Sequence, residues 1–224
     1  MSTARNLIKN RVKAGNTVIG VGCYSAALTA RDEDKVIKVG NTTNDPWLEF
    51  YNEVIRANPK NIHLPKVHDI HIDYDNDYYV AVVEKLYEHD ERFMGDREGT
   101  DMLEEAVIRC IEDRSIDKFS FFVSLDDCKT CYGEFEPYQL HSVCNQIRDL
   151  VRRSYSDWGY CDCGEGESSD NCECGSESLS VDLHTNNILY RKDGTLVIND
   201  PVCDTNMEDV DDLSNWADDH ELVA

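Results

Sequence analysis

Three oxygen-bearing side chains in the last quarter of the chain have the spacing of a phosphoryl-transfer site: Asp182, Asn187 and Asp200. Asp182 opens the run Asp182-Leu183-His184-Thr185-Asn186-Asn187, which leads into the apolar segment Ile188-Leu189-Tyr190. Lys192-Asp193-Gly194 follows, then Leu196-Val197-Ile198, then Asn199-Asp200. Asp-Gly between two short apolar runs predicts a β-hairpin. A hairpin brings the residue before its first strand beside the residue after its second, so Asn187 and Asp200 should become neighbours. Phosphoryl transfer needs hard oxygen ligands for Mg2+ and a carboxylate that orients the attacking hydroxyl. Asn187 and Asp200 suit the first task and Asp182 the second. His184 is a further catalytic candidate that can orient the loop or contact phosphate, with a packed histidine as the alternative.

The N-terminal part supplies what a nucleotide would need. Residues 2–14 read as a short basic helix. Thr17 to Val39 alternates apolar and small residues, which predicts two or three antiparallel strands. Gly20-Val21-Gly22-Cys23-Tyr24-Ser25 falls between strands, and its backbone can lie over phosphates at Gly20, Gly22 and Ser25. A plain hairpin turn is the alternative. Lys38 sits in the strand Lys35-Val36-Ile37-Lys38-Val39, where it can meet phosphate and a helix carboxylate. Asp45-Pro46 opens that helix as N-cap and first-turn proline. Glu53 is the predicted partner of Lys38, and Glu49, one turn earlier, is its competitor. Tyr78 to Leu86 is the clearest strand, and the backbone of Glu84 and Leu86 at its end can bind adenine.

The next section turns helical. Asp101 to Asp113 has apolar residues at helical spacing, with Asp101 and Glu104 as a capping box. Pro137 to Tyr155 carries the stripe Leu140, Val143, Cys144, Ile147, Leu150 and Val151. Residues 161–178 are rich in Gly, Ser, Cys and acid and predict a loop. Within it, Cys161, Cys163, Cys172 and Cys174 can hold Zn2+ tetrahedrally, a passive loop being the alternative. Ser168, Ser169, Ser176 and Ser178 in the same insertion are candidates for self-phosphorylation, because a tethered loop has a high effective concentration.

The whole chain sets limits. Its 224 residues suffice for one two-lobed domain. A net charge of -23 opposes direct nucleic-acid binding, which needs a basic footprint, and favours basic partners. No apolar run reaches the roughly 18 residues of a membrane span, so no membrane partner is expected. The first residues lack a signal-peptide pattern, which predicts a cytoplasmic protein whose ten cysteines are reduced or metal-bound.

Gly turn, strand Lys, helix Glu, hinge strand, helices, Asp-x-x-x-x-Asn, hairpin and Asp follow one another in the order of a protein kinase. The predicted fold is therefore α+β and minimal two-lobed protein-kinase-like. An antiparallel-sheet N-lobe spans 15–84. A mainly helical C-lobe with the catalytic hairpin spans 85–204 and includes the 161–178 insertion, and an acidic tail covers 205–224. The blocks Cys23–Ala27, Lys35–Gly40, Leu64–Asp69, Asp182–Leu189 and Asn199–Val202 resemble the early serine/threonine protein kinase of teseptimavirus-type phages (the T-seven group). The likeness covers roughly 15–90 and 180–204. It implies an enzyme of the host bacterial cytoplasm that uses ATP and Mg2+ to phosphorylate host proteins, basic or nucleic-acid-processing ones among them, and itself. It assigns ATP-binding, base and metal roles to Lys38, Asp182, Asn187 and Asp200. Two features depart from it: Pro201-Val202 replaces the usual Phe-Gly, and 24 residues after Asp200 leave no full activation segment. A small-molecule kinase of aminoglycoside type, or an acidic inhibitor or pseudokinase, are the competing functions.

Overall fold

The computed structural model describes residues 2–88, 97–112, 136–156, 179–182, 187–204 and 213–218. They form an α+β fold in two compact units. The first draws on segments 1–49, 65–86 and 208–224, and the second on 50–64 and 87–207. The helix-to-strand connection after residue 50 thus belongs to the second unit, and the last described helix belongs to the first.

The first unit is a five-stranded sheet with helices. Helix α1 (Thr3–Lys13) precedes β1 (Val18–Val21), β2 (Ser25–Thr29) and β3 (Lys35–Gly40). Helix α2 (Pro46–Phe50) precedes β4 (Val67–Asp73) and β5 (Tyr78–Glu84). The strand order is β1-β2-β3-β5-β4, antiparallel throughout. In β2 and β5 burial alternates, as one covered face requires. In central β3 every residue from Val36 to Gly40 is buried.

Residues directly opposite in an antiparallel pair share a face. One face presents Val18, Ala26, Leu28, Ile37 and Val39. It packs against Ala4 and Ile8 of α1 and against Leu213, Trp216 and Ala217 of a C-terminal helix (Leu213–Asp218). The other face carries the cross-strand row Gly20, Ala27, Lys38, Ala81 and Ile70.

Asp45 caps α2 as expected: the Trp47 N–H donates to its Oδ1 at 2.9 Å. The Tyr79 hydroxyl donates to Oδ2 of the same buried carboxylate at 2.5 Å, and its ring stacks on Trp47 at 5.6 Å and 11°. Gly40 makes room for that ring, since a Cβ there would lie 1.9 Å from Cε1 of Tyr79. Ring and strand cannot both stay in place. Gly40→Ala is therefore expected to cost at least about 2 kcal/mol by overpacking, read as a lower urea midpoint.

The second unit holds α3 (Arg97–Glu112), α4 (Pro137–Ser156) and four short strands. These are β6 (Leu179–Val181) paired with β9 (Val202–Asp204), and β7 (Ile188–Tyr190) paired with β8 (Leu196–Ile198). The predicted stripe of α4 is buried from Leu140 to Val151, and α4 packs on α3, whose Leu103, Val107, Cys110 and Ile111 are buried. The Asp101–Glu104 capping box is corrected. Helix α3 begins at Arg97, so both residues lie inside it, and buried Glu104 accepts the Tyr190 hydroxyl at 2.6 Å. The β7–β8 hairpin forms as Asp193-Gly194 predicts: Gly194 has φ 88°, and Asp193 Oδ1 accepts the Thr195 N–H at 2.9 Å.

His63 fastens this hairpin. Its Nδ1 bonds the Leu196 carbonyl at 2.9 Å, which makes Nδ1 the donor. Nε2 accepts the Glu136 N–H at 3.1 Å, so the ring is neutral and satisfied at both nitrogens. Burial pushes its pKa down to about 4 from 6.5, with the nearby Arg191 cation adding to the effect and the Leu196 carbonyl opposing it. On acidification the unfolded chain takes up this proton first. The His63 contribution is therefore complete above pH 6.5 and is lost as pH falls through 6.5 to about 4. Between pH 7.5 and 5 wild type should lose about 2 kcal/mol more stability than His63→Gln, read from denaturant midpoints.

Candidate active site

In the second unit, two short strand pairs converge on Asp200. The β6–β9 register sets Val181 opposite Val202 and runs on by one step, with the Asp182 N–H donating to the Pro201 carbonyl at 2.9 Å. Proline has no N–H to give, but here only its carbonyl is used. The β7–β8 register sets Ile188 opposite Ile198 and also runs on, with the Asn199 N–H donating to the Asn187 carbonyl at 2.9 Å. Asp200 thus stands between a residue tied to Asn187 and a residue tied to Asp182.

A side chain closes the arrangement. Asn187 Nδ2 donates to the Asp182 carbonyl at 2.6 Å and to its carboxylate Oδ2 at 3.2 Å. This clasp fixes the Asp182 carboxylate and directs the Asn187 amide oxygen the other way. The electrostatics report the same convergence. Burial raises the Cys203 thiol pKa, and the carboxylates of Asp182, Asp204 and Asp200 raise it further, against a 2.9 Å contact with the Ser180 hydroxyl. Three carboxylates therefore act on one thiol. Asp204 is a residue the sequence reading passed over. Its only local signal is its place in the strand after Asp200.

The first unit holds Gly20 and Lys38 on one sheet face. Gly20 and Lys38 share the row Gly20–Ala27–Lys38–Ala81, in which the neighbours of the lysine are small. Lys38 is 8% exposed, and its Nζ lies 4.5 Å from the Trp47 ring centroid, a cation–π distance. Neither Gly20 nor Gly22 has positive φ. An added Cβ would meet nothing within 4 Å at Gly20 and only the Ser25 carbonyl, at 3.9 Å, at Gly22. The hairpin therefore does not need glycine at these positions for its own geometry, and both leave open space above the backbone. The Gly22 N–H is spent on the Ser25 carbonyl at 2.8 Å. Ser25 lies opposite Gly40 at the start of β2.

At the far end of β5, Glu84 is engaged twice by Lys66: its N–H donates to the Lys66 carbonyl at 2.9 Å, and its Oε1 accepts the Lys66 N–H at 2.8 Å. The Lys85 N–H donates to Asp34. Leu86 makes no hydrogen bond among the described residues. Its peptide group therefore has donor and acceptor capacity of the kind an adenine edge would use.

Glu53, the predicted partner of Lys38, forms an ion pair within the second unit. The Glu53 carboxylate is held by Arg153 Nη1 at 3.2 Å on an exposed surface. The reason is local. After Phe50 the helix switches to a π turn (Tyr51–Ile55), with the Arg56 N–H on the Tyr51 carbonyl. The extra residue in the turn rotates Glu53 away from the face that a regular helix would give it. Glu49 precedes the π turn and lies in the same unit as Lys38. His184, the four insertion cysteines and the insertion serines lie outside the described residues.

The chain matches no described protein family, and no curated protein is significantly similar to it. Among solved structures it is similar to the aminoglycoside phosphotransferase APH(4)-Ia, at 13% identity over 91% of this chain and 74% of that one, with a TM-score of 0.38. It is also similar to the aminoglycoside phosphotransferase APH(3'')-Id from Streptomyces rimosus, at 12% identity over 99% and 90%, with a TM-score of 0.38. Likeness this remote fixes neither fold nor activity.

An exposed ion pair contributes little. Glu53→Ala should change stability by no more than about 1 kcal/mol and leave ATP affinity within about two-fold, by thermal melt and calorimetric titration. A large loss of ATP binding would place Glu53 in the candidate nucleotide site.

Proposed function

We propose that this protein is an ATP-dependent phosphotransferase of protein-kinase-like fold that phosphorylates protein Ser or Thr hydroxyls. The observation that carries the reading is the clasp of Asn187 on Asp182, in a framework that pairs Asp182 with Pro201 and Asn187 with Asn199. It gathers a carboxylate base and two hard-oxygen ligand residues in the order the sequence predicts. Supporting it, the first unit carries Gly20 and Lys38 on one face of a five-stranded sheet, with room above the backbone at Gly20 and Gly22.

In this reading the first unit binds the nucleotide. The turn Gly20–Ser25 lies along the phosphates, Lys38 neutralises them, and the Glu84–Leu86 backbone takes the adenine edge. The second unit supplies the groups of transfer. Asp182 accepts the proton of the attacking hydroxyl as that oxygen bonds the γ-phosphorus, and the bond to the β-phosphate oxygen breaks to release ADP. Asn187 keeps the Asp182 carboxylate in one orientation. Among the described residues no three His, Cys, Asp or Glu side chains form a ready metal cage. That suits Mg2+, which takes few protein ligands and keeps phosphate and water oxygens. The Asn187 amide oxygen and the Asp200 carboxylate would hold it, and when bound it offsets phosphate charge. By the sequence resemblance, the substrates are host proteins in a phage-infected bacterium. The net charge of -23 favours basic ones.

A second reading, a small-molecule kinase, is favoured by two observations. Pro201-Val202 stands where protein kinases carry Phe-Gly, and an acidic surface suits a cationic substrate such as an aminoglycoside.

Purified protein with labelled Mg-ATP should transfer label to proteins of a bacterial lysate and not to aminoglycosides. Asp182→Asn and Asp200→Ala should each lower the rate at least about a hundred-fold while circular dichroism stays unchanged. Label on an aminoglycoside alone would establish the second reading. Undiminished labelling by both variants would reject phosphotransfer at this site.

A further inference from the structure

All 45 acidic residues of the chain follow Arg31, and the segment up to it carries five cations: Arg5, Lys9, Arg11, Lys13 and Arg31. Arg5 and Lys9 lie against the Trp216 ring, each 5.4 Å from its centroid. Arg11 and Arg31 are exposed, and neither guanidinium makes an ion pair or a hydrogen bond among the described residues. Both line one groove of about 610 Å³ between the last turns of α1 and the chain just after β2. In a protein of net charge -23, two such arginines in one groove need a reason.

The groove has fixed walls. Helix α1 ends at Lys13, and Gly15 takes φ 94°, a left-handed conformation that closes a helix and that glycine adopts without strain. The chain then turns back to β2. Asn16 Nδ2 donates to the Thr29 carbonyl at 2.6 Å, the Thr17 N–H donates to Thr29 Oγ1 at 2.8 Å, and the Thr29 N–H donates to the Thr17 carbonyl at 2.8 Å. These three bonds fasten the wall that carries Arg11 to the wall that carries Arg31. Bare carbonyls at a helix end would repel an anion. Here those of Asn10, Arg11 and Val12 accept the N–H groups of Ala14, Asn16 and Gly15. Leu7, Ala30 and Ile37 are buried or half-buried and make an apolar floor, whereas Asn10, Arg11 and Arg31 are exposed at the rim.

We propose that this groove docks an acidic segment of a partner protein, with one apolar side chain on the floor of Leu7, Ala30 and Ile37 and flanking carboxylates on Arg11 and Arg31. A planar guanidinium meets a carboxylate with two parallel hydrogen bonds. The volume is that of a small-ligand cleft, which suits a few residues. A nucleic acid fits less well. Its phosphates would run past the groove over exposed Asp32, Glu33 and Asp34, and the apolar floor offers them nothing. The groove lies on the α1 side of the sheet, opposite the Lys38 row, so the inference does not depend on nucleotide binding.

Fluorescence anisotropy of the full-length protein with a labelled Glu-Glu-Leu-Glu-Glu peptide tests it, with Gln-Gln-Leu-Gln-Gln as the neutral counterpart. The acidic peptide should bind, and the neutral one at least about ten-fold more weakly. Arg11→Ala and Arg31→Ala should each weaken binding about three- to ten-fold, the range of one charge-assisted hydrogen bond in an exposed place. Both residues are exposed, so thermal melts should not move. Arg109→Ala, which removes an exposed arginine paired with Glu105 on α3, controls for charge alone and should change nothing. No binding up to about 1 mM, equal binding of the neutral peptide, or an equal loss in Arg109→Ala would overturn the inference. So would displacement of the peptide by inorganic phosphate or by a single-stranded oligonucleotide at matching concentration. Sedimentation velocity covers the remaining occupant. Self-association that disappears in the Arg11→Ala, Arg31→Ala double variant would assign the groove to a second copy of this chain and reject a partner's segment.

Discussion

The candidate site of the second unit depends on two backbone hydrogen bonds that flank Asp200. One runs from the Asp182 N–H to Pro201, and the other from the Asn199 N–H to Asn187. Each contributes only about 1 kcal/mol to stability. Their importance is geometric. They extend two separate strand pairs by one residue, and the chain between them has nowhere else to run. The Asn187 side chain then needs only to bridge the ends to fix Asp182. The hairpin that carries Asn187 is fastened in turn by His63 on Leu196 and by Arg191 on the Ile62 and Leu64 carbonyls. Segment 58–64 is therefore a support for the loop of Asp182, although it bears no chemistry.

The sheet of the first unit divides its labour by face. Central β3 is buried on both sides, so its alternation no longer separates polar from apolar. Ile37 and Val39 face the helices of the two chain ends, and Lys38 faces Trp47. A lysine 8% exposed costs free energy unless its charge is met. The Trp47 ring, held by Tyr79 and by the Asp45 cap, is one of the groups that meet it. The residues that cap a helix also shape the surroundings of the candidate ATP lysine.

Much of this was legible in sequence, for reasons that can be named. Asp193-Gly194 between apolar runs gave the hairpin, and the hairpin brought Asn187 and Asp200 together. Alternation gave β5, and Asp45-Pro46 gave the start of α2. What could not be read depends on partners far along the chain or on small departures from regular geometry. A π turn is one residue of slippage, invisible in the periodicity of Leu48, Tyr51, Val54 and Ile55, yet enough to send Glu53 to Arg153. The pattern at Asp101 and Glu104 is that of a cap, but its meaning changed because Tyr190, 86 residues later, offers a hydroxyl to Glu104. Nothing local marks Leu213 or Trp216 as part of a sheet core that begins at Ala4.

That last feature bears on how the protein is made. A ribosome releases the five strands of the first unit well before it releases Trp216. Until then one face of a nearly finished sheet, with Leu28, Ile37 and Val39, lacks part of its cover. Contacts this distant in sequence close slowly, and exposed apolar sheet surface invites association with other chains. The nascent protein thus has an interval in which the five strands can exist but this apolar face is not yet sealed. The short helix Leu213–Asp218 closes it.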